Sequence, residues 1–476
     1  MSTDRTIETT VPARLDRLPW SLWHLRIILA LGTSWLLDGL EVTLVGSLSG
    51  VLASKNGLSL TDQEVTAAAT VYLTGAVAGA LLFGYLTDRL GRRKLFLVTL
   101  ATYSLATIGT ALSPGVAVFA VCRFFTGLGI GGEYAAINSA VDELIPGRVR
   151  GTVDLMVNAT FWVGASIGGL TALFLLSGHG PPPQIGWRLA FGVGGALGFG
   201  VLLMRLAVPE SPRWLMLRGR DQEAEKVVSD IESKVARHGT LPTVEDPPLK
   251  LRTRDHTPWA DIVKNMAGEN RLRSLLGLVL MAGQAFFFNA VFFTFALVAK
   301  KYFHVADADL PGELLPFAVG SFLGPIALGS LFDKWGRKTM ITATYGTAGA
   351  LLIVVSCLFA WGSLSLRGLT LGFSIIFFVA SSAASAAYLT VSEIFPLEIR
   401  AFAIAIFYAI GTLFGGVGAP VLFGALIASG SKQEVAFGYL FGAALMLTGA
   451  LCEKMIGVEA AGKSLESVSK PLQSAG

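Results

Sequence analysis

Charge is scarce in this chain. Only 15% of its 476 residues are Asp, Glu, Lys or Arg, where a soluble protein carries about 25%. Cysteine is scarcer still. Cys122, Cys357 and Cys452 all fall inside apolar runs, so no disulfide is expected, and neither a metal site nor a catalytic thiol can be read from them. The phosphate-cradling pattern of Gly, four residues and Gly-Lys-Ser/Thr occurs as GVEAAGKS at 457–464, but it follows the last apolar run in the tail and lies outside any strand-to-helix turn, so direct ATP drive is not expected. Five histidines (His24, His179, His238, His256, His304) lie at or beyond the ends of the apolar runs. The runs hold no nucleophile–base pair and no metal cluster, so we expect no enzyme, cofactor or metal. Asp4 and Glu8 stand among the first residues with no early apolar core, so no cleaved signal peptide is expected.

What the chain has in abundance is apolar sequence. Hydrophobic residues make up 53% of it and the mean hydropathy is +0.62. They fall in runs of roughly 20, the length of a helix crossing a bilayer. Twelve spans are predicted, at about 25–50, 66–87, 94–112, 116–142, 151–176, 187–207, 274–299, 314–333, 339–361, 368–391, 401–428 and 434–456. Glycine (55 residues) is concentrated in them, as in GLGIGG and GTLFGGVG, and lets helices approach closely.

The spans form two copies of one plan. GYLTDRLGRRK at 84–94 has its partner in GSLFDKWGRK at 329–338, pairing Gly84 with Gly329, Asp88 with Asp333, Gly91 with Gly336, Arg92 with Arg337 and Arg93 with Lys338. Glu143, Pro146 and Arg150 likewise match Glu393, Pro396 and Arg400. The offsets, 245 and 250 residues, are nearly equal, and two unrelated motifs doubled in one order mark an internal repeat.

Basic residues set the expected orientation. The turns at 88–94, 148–150 and 333–338, the segment 208–273 and Arg400 share one side with both termini. The other side holds Lys55, Lys300, Lys301, Arg367 and Lys432. The richer side is placed in the cytoplasm. The expected organisation is an N-terminal segment (1–22) with Arg14 and Arg17 before headgroup-level Trp20 and Trp23, a first half (23–207), a linker (208–273), a second half (274–457) and a tail (458–476). A short amphipathic helix is predicted over 221–238.

A charge at mid-membrane costs at least about 2.5–3.5 kcal/mol, so four residues invite a functional reading: Asp38 and Glu41 in the first span, Arg123 and Glu133 in the fourth. Asp38 and Glu41 share a helix face, as do Arg123 and Glu133. An acid facing an arginine across two helices forms a pair that protonation breaks, which makes a proton a conformational signal. A static ion pair that only fixes packing is the competing reading. The second copy has Phe373 and Ala383 where the first has Arg123 and Glu133. It offers instead Gln284, Asn289 and Tyr388, joined by Asn158 from the fifth span, as uncharged groups able to bind hydroxyls or simply to bond helices together. In the cytoplasmic turns, Gly91 suits a helix end. Asp88, Glu143 and Glu393 face Arg92, Arg93, Arg150 and Arg400, an arrangement we read as a latch between the halves, against the alternative of topology control by positive charge alone.

These motifs resemble the loop signature of the major facilitator superfamily. RFFTGLGIGGEY, DELIPGRVRG, PESPRWL, SEIFPLEIR and VEAAGKSLESVS are similar to sequences of its sugar porters. The resemblance implies an all-α fold of twelve transmembrane helices in two pseudo-symmetric halves, working by alternating access. It aligns Glu41 with an acid of proton-coupled porters and Arg123 with its partner. Asn158, Gln284, Asn289 and Tyr388 fall at sugar-contacting positions. Gly283 departs from the sugar pattern, and Asp38-Gly39-Leu40-Glu41 and GGEY are similar to organic-acid porters. Proton symport of a small polar metabolite, sugar or sugar-like, is therefore expected. The rivals are an organic- or aromatic-acid symporter with Arg123 on the carboxylate, an uncoupled facilitator and a nutrient sensor that moves nothing. A short tail after 457 counts against the sensor. The expected partners are a small substrate, protons and the lipid of the plasma membrane, with no nucleic acid, for a monomer.

Overall fold

A bilayer core cannot hydrogen-bond backbone groups, so apolar segments of this length satisfy them internally as helices. The computed structural model describes residues 5–54, 57–176, 181–237, 239–244, 247–254, 257–306 and 310–473; Asp4, Lys55, His179, His238 and His256 lie outside them. Twelve helices among these are long and apolar enough to cross a membrane. The first half holds α1 (Leu22–Ala53), α2 (Asp62–Leu90), α3 (Arg92–Ala111), α4 (Val116–Leu144), α5 (Arg150–Leu176) and α6 (Pro183–Arg205). The second holds α7 (Arg271–Phe303), α8 (Leu310–Lys334), α9 (Arg337–Ala360), α10 (Leu366–Ile394), α11 (Arg400–Ala428, π-helical over Thr412–Gly418) and α12 (Lys432–Ile456). All twelve expected spans have their helix.

Small residues set the packing. A Cβ on Gly39 of α1 would come 1.9 Å from the Phe161 carbonyl of α5, and one on Gly164 1.8 Å from the Leu36 carbonyl of α1. Across the seam between halves, α8 packs on α5 and α11 on α2. Both turns of the doubled motif need a residue at positive φ, and both have glycine there: Gly91 at 100° and Gly336 at 94°.

The polar segments at the basic end fold together. The linker helix runs Asp221–Ala236 and buries Ala224, Val228, Ile231 and Val235. Thr6–Thr9 pairs antiparallel with Leu249–Arg252, a strand pair that the sequence reading missed. Arg14 and Arg17 pair with Glu232 of the linker helix, at 2.5 Å from each guanidinium, and one expectation about the N-terminal segment is corrected. Trp20 is exposed, but Trp23 is buried in the core.

Candidate functional site

At the basic end of the bundle, the doubled motifs meet across the seam. Asp88 closes α2 and accepts from the Phe402 and Ala401 amides at the start of α11, at 2.9 and 3.4 Å. Asp333 closes α8 and accepts from the Gly151 and Thr152 amides at the start of α5, at 2.9 and 2.8 Å. Each acid thus caps a helix of the opposite half, where free N–H groups and the dipole favour negative charge. Glu143 holds Arg92 at 2.7 Å and lies 3.6 Å from Arg400 of the other half. Glu393 holds Arg337 at 3.0 Å and lies 3.5 Å from Arg150 of the other half. Gly84 lies where α2 meets α11, so close that a Cβ there would come 2.3 Å from the Ala405 Cβ. Arg93 is corrected: it is exposed, bonds weakly to the Leu206 carbonyl at 3.4 Å, and stands outside this cross-half network.

A third doubled pair escaped the sequence reading. Glu210 of PESPRWL accepts from the Arg92 amide at 2.9 Å, and Glu459 of the tail accepts from the Arg337 amide at 2.9 Å. They cap α3 and α9 just after the two positive-φ glycines. Their separation, 459 − 210 = 249 residues, is close to the 245 and 250 of the other doubled motifs and was the available signal. Burial pushes the Glu210 carboxyl above its usual range despite these amides.

Within the first half, Arg123 donates to Glu41 and lies under the Tyr72 ring, 4.5 Å from its centroid. Asp38 accepts from the hydroxyls of Tyr134 and, at 3.2 Å, Tyr72. Glu133 does not share Arg123. Its partner is Arg205, at 3.7 Å. Arg205 was passed over because it falls at the predicted end of the sixth span. Asp142, Asp154 and Glu453 are further fully buried acids that the sequence reading did not single out.

Between the halves lies a cavity of about 180 Å³. It gathers Asn158, Gln284, Asn289 and Tyr388, four residues drawn from α5, α7 and α10. Trp35, Tyr134, Phe161, Trp162, Phe288 and Phe292 complete an aromatic wall, with Ser381 and Ser385 beside it. Trp35 stands edge-on to Tyr388, with centroids 5.7 Å apart. Asn158 also donates to Asp154 at 3.2 Å. Arg123 is not among the residues that line the cavity. Tyr134 connects the two regions, with its ring on the cavity and its hydroxyl on Asp38.

The profile of the family described as Sugar (and other) transporter matches residues 30–471. The chain belongs to that family. Sugar-transporter-family members and structural neighbours are transporters, not enzymes, so the chain is a multi-pass membrane transporter of a small molecule. Curated relatives include a niacin transporter of Acinetobacter baylyi, 26% identical over 96% of this chain and 99% of that one. A cis,cis-muconate transport protein of the same organism is 27% identical over 92% and 95%. Among solved structures, the proton:xylose symporter XylE covers 94% of this chain and 98% of its own at TM-score 0.75 and 20% identity. The human organic anion transporter MFSD10 covers 90% and 99% at 0.60 and 16%. These two likenesses give the major facilitator fold.

Proposed function

We propose that this transporter is a proton-coupled symporter of a small planar metabolite, aromatic or conjugated, carrying a polar group. The observation that carries the reading is the cavity wall. Seven aromatic side chains face a few amides and hydroxyls, and no charged side chain lines it among the described residues. Flat π-systems bind such rings by stacked or edge contacts, while amides orient a polar end. Relatives that carry niacin and cis,cis-muconate support the same class. The sugar reading rests on Asn158, Gln284 and Asn289, amides that suit hydroxyls.

The proton is carried by Glu41 with Arg123 as counter-charge, and Asp38 and Glu133 belong to the same group. The buried network of Asp88, Glu143, Asp333 and Glu393 with Arg92, Arg150, Arg337 and Arg400 is a latch that closes the cytoplasmic side of the plasma membrane. Its release opens the cavity inward, so access alternates between halves.

A thermal-shift panel of pyridine carboxylates, diene dicarboxylates, pentoses and hexoses on purified protein tests the substrate class, since a true ligand stabilises by mass action. Stabilisation by the planar acids is expected; stabilisation by sugars alone overturns the class. The compound that binds then tests coupling in vesicles. Glu41→Gln should retain exchange and lose pH-driven accumulation. Undiminished uphill uptake in that variant would refute the proton assignment.

A further inference from the structure

The first half contains a second buried carboxylate–guanidinium pair, whose arginine and whose place in the proton's path the reading above leaves unassigned. Arg205, the last residue of α6, is buried with its Nη2 3.7 Å from Glu133 and 2.5 Å from the Ser34 hydroxyl, to which it donates. Its guanidinium lies 4.4 Å from the centroid of Phe96. Glu133 Oε1 and Arg205 Nε and Nη1 have no hydrogen-bond partner, and neither has Glu41 Oε2 in the first pair. Each acid therefore has one oxygen free to take a proton.

The two pairs lie at different depths. Arg123 and Glu133 are ten residues apart on α4, and Ser34 and Glu41 seven apart on α1, which separates the pairs by about 10–15 Å along the bundle. Between them stands Asp38. Ser34, Asp38 and Glu41 follow at i, i+4 and i+7, so they form one stripe along α1. The groups facing Glu133 are Arg205 from α6, Ser34 and Asp38 from α1, and Thr99 and Tyr103 from α3. From α2, Phe83 packs against the neighbouring Gly132.

Scaffolding does not account for this pair. Well-packed apolar residues are often as stabilising as a buried ion pair, and the second half does without one: its equivalent positions are Ala383 and an exposed Met455. We propose that Glu133, held by Arg205, is a second proton-binding site, the stage between Glu41 and the water beyond the latch. This rests on the coupling reading above. The proton leaves the Glu41 carboxyl, passes to the Asp38 carboxylate and then to Glu133, and is released to water when the latch opens. Each transfer leaves a carboxylate behind and neutralises the next, and Arg123 and Arg205 balance the two ends.

The proton itself is the probe. Infrared difference spectra of the purified protein, titrated between about pH 4 and 9 to span the shifted carboxyl range, read protonated carboxyl bands. Glu41→Gln should remove one titrating band and Glu133→Gln a different one, while Arg205→Gln should move the midpoint of the second alone. If Arg205→Gln does not fold, the neutral double variant Glu133→Gln with Arg205→Met supplies the spectrum, again lacking only the second band. An unchanged titration in Glu133→Gln means a static pair and overturns this proposal, while the Glu41 band stands or falls separately. Spin labels at exposed Lys94 and Trp335, one on each half at the latch, supply the sidedness. Their pH-dependent spacing should be lost in Glu133→Gln; a spacing that keeps its pH dependence there overturns the exit role.

Discussion

Asp333 bonds two amides of the opposite half, the Thr152 hydroxyl at 2.5 Å and its own Arg337 at 2.7 Å. Replacing it by Ala strands those donors. Hydrogen bonds to a charged group contribute about 1.5–3 kcal/mol each, and their loss is not additive. Asp333→Ala should therefore destabilise by at least about 2 kcal/mol in thermal unfolding, whereas Arg93→Ala, exposed and outside the network, should stay within about 0.5 kcal/mol. In the cavity, Trp35 packs at a tilt against Tyr134 and edge-on against Tyr388. Trp35→Leu should weaken binding of the panel compound by about twofold to tenfold, the equivalent of the about 0.5–1.5 kcal/mol that such ring contacts add. Equal affinity would place the substrate elsewhere. The sequence exposed Asp38, Glu41, Arg123 and Glu133 because a charge in the middle of an apolar run has no cheap explanation. Arg205 and Asp142 are charged too, but they stand near helix ends, where hydropathy treats a charge as a boundary. Only the packing of α6 and α4 reveals them as buried.

Helices were legible because the bilayer imposes their length, and the amphipathic linker helix because its apolar residues keep helical spacing. The Thr6–Thr9 and Leu249–Arg252 strands were not, since four residues of mixed polarity carry no usable period. The π-helical turn in α11 was equally silent: it brings Gly415 against the backbone of Ala285 in α7, a fit that depends on the neighbour and not on the local pattern. The clasp between the N-terminal segment and the linker helix depends on Glu232. Burial raises its carboxyl, but the bonds from Arg14 and Arg17 outweigh burial and hold it below the usual range. An acid whose folded value is depressed contributes stability above its unfolded value, about 4.3. That contribution is lost as pH falls through the folded value. Proteolysis within the first 20 residues should hence accelerate at acidic pH below about 4, and Glu232→Gln should show the fast rate already at neutral pH. A rate independent of this residue would mean that the strand pair alone holds the segment.

At the scale of the whole molecule, the doubled motifs gave the two halves, since 245 and 250 residues separate matching turns. What the repeat could not give was reciprocity. Asp88 caps α11 while Asp333 caps α5, so the same contact is made twice across one pseudo-symmetric seam. Among the described residues, the opposite end shows no such reciprocal cap, and α1 and α7 do not pack along one another. A closed latch is one state of a two-state machine, and its population depends on how strongly both caps hold. Removing the charge from both, as Asp88→Asn with Asp333→Asn, takes away charge-assisted bonds but keeps the side-chain volume. A loss of only about 1.4 kcal/mol shifts the equilibrium tenfold toward the open latch. Spin labels at Lys94 and Trp335 should then report a longer mean separation in the double variant, with each single variant between it and the parent. If the separation stays that of the parent, the arginine–glutamate pairs hold the halves without the caps, and the latch must be sought in Arg150 with Glu393 and Arg400 with Glu143.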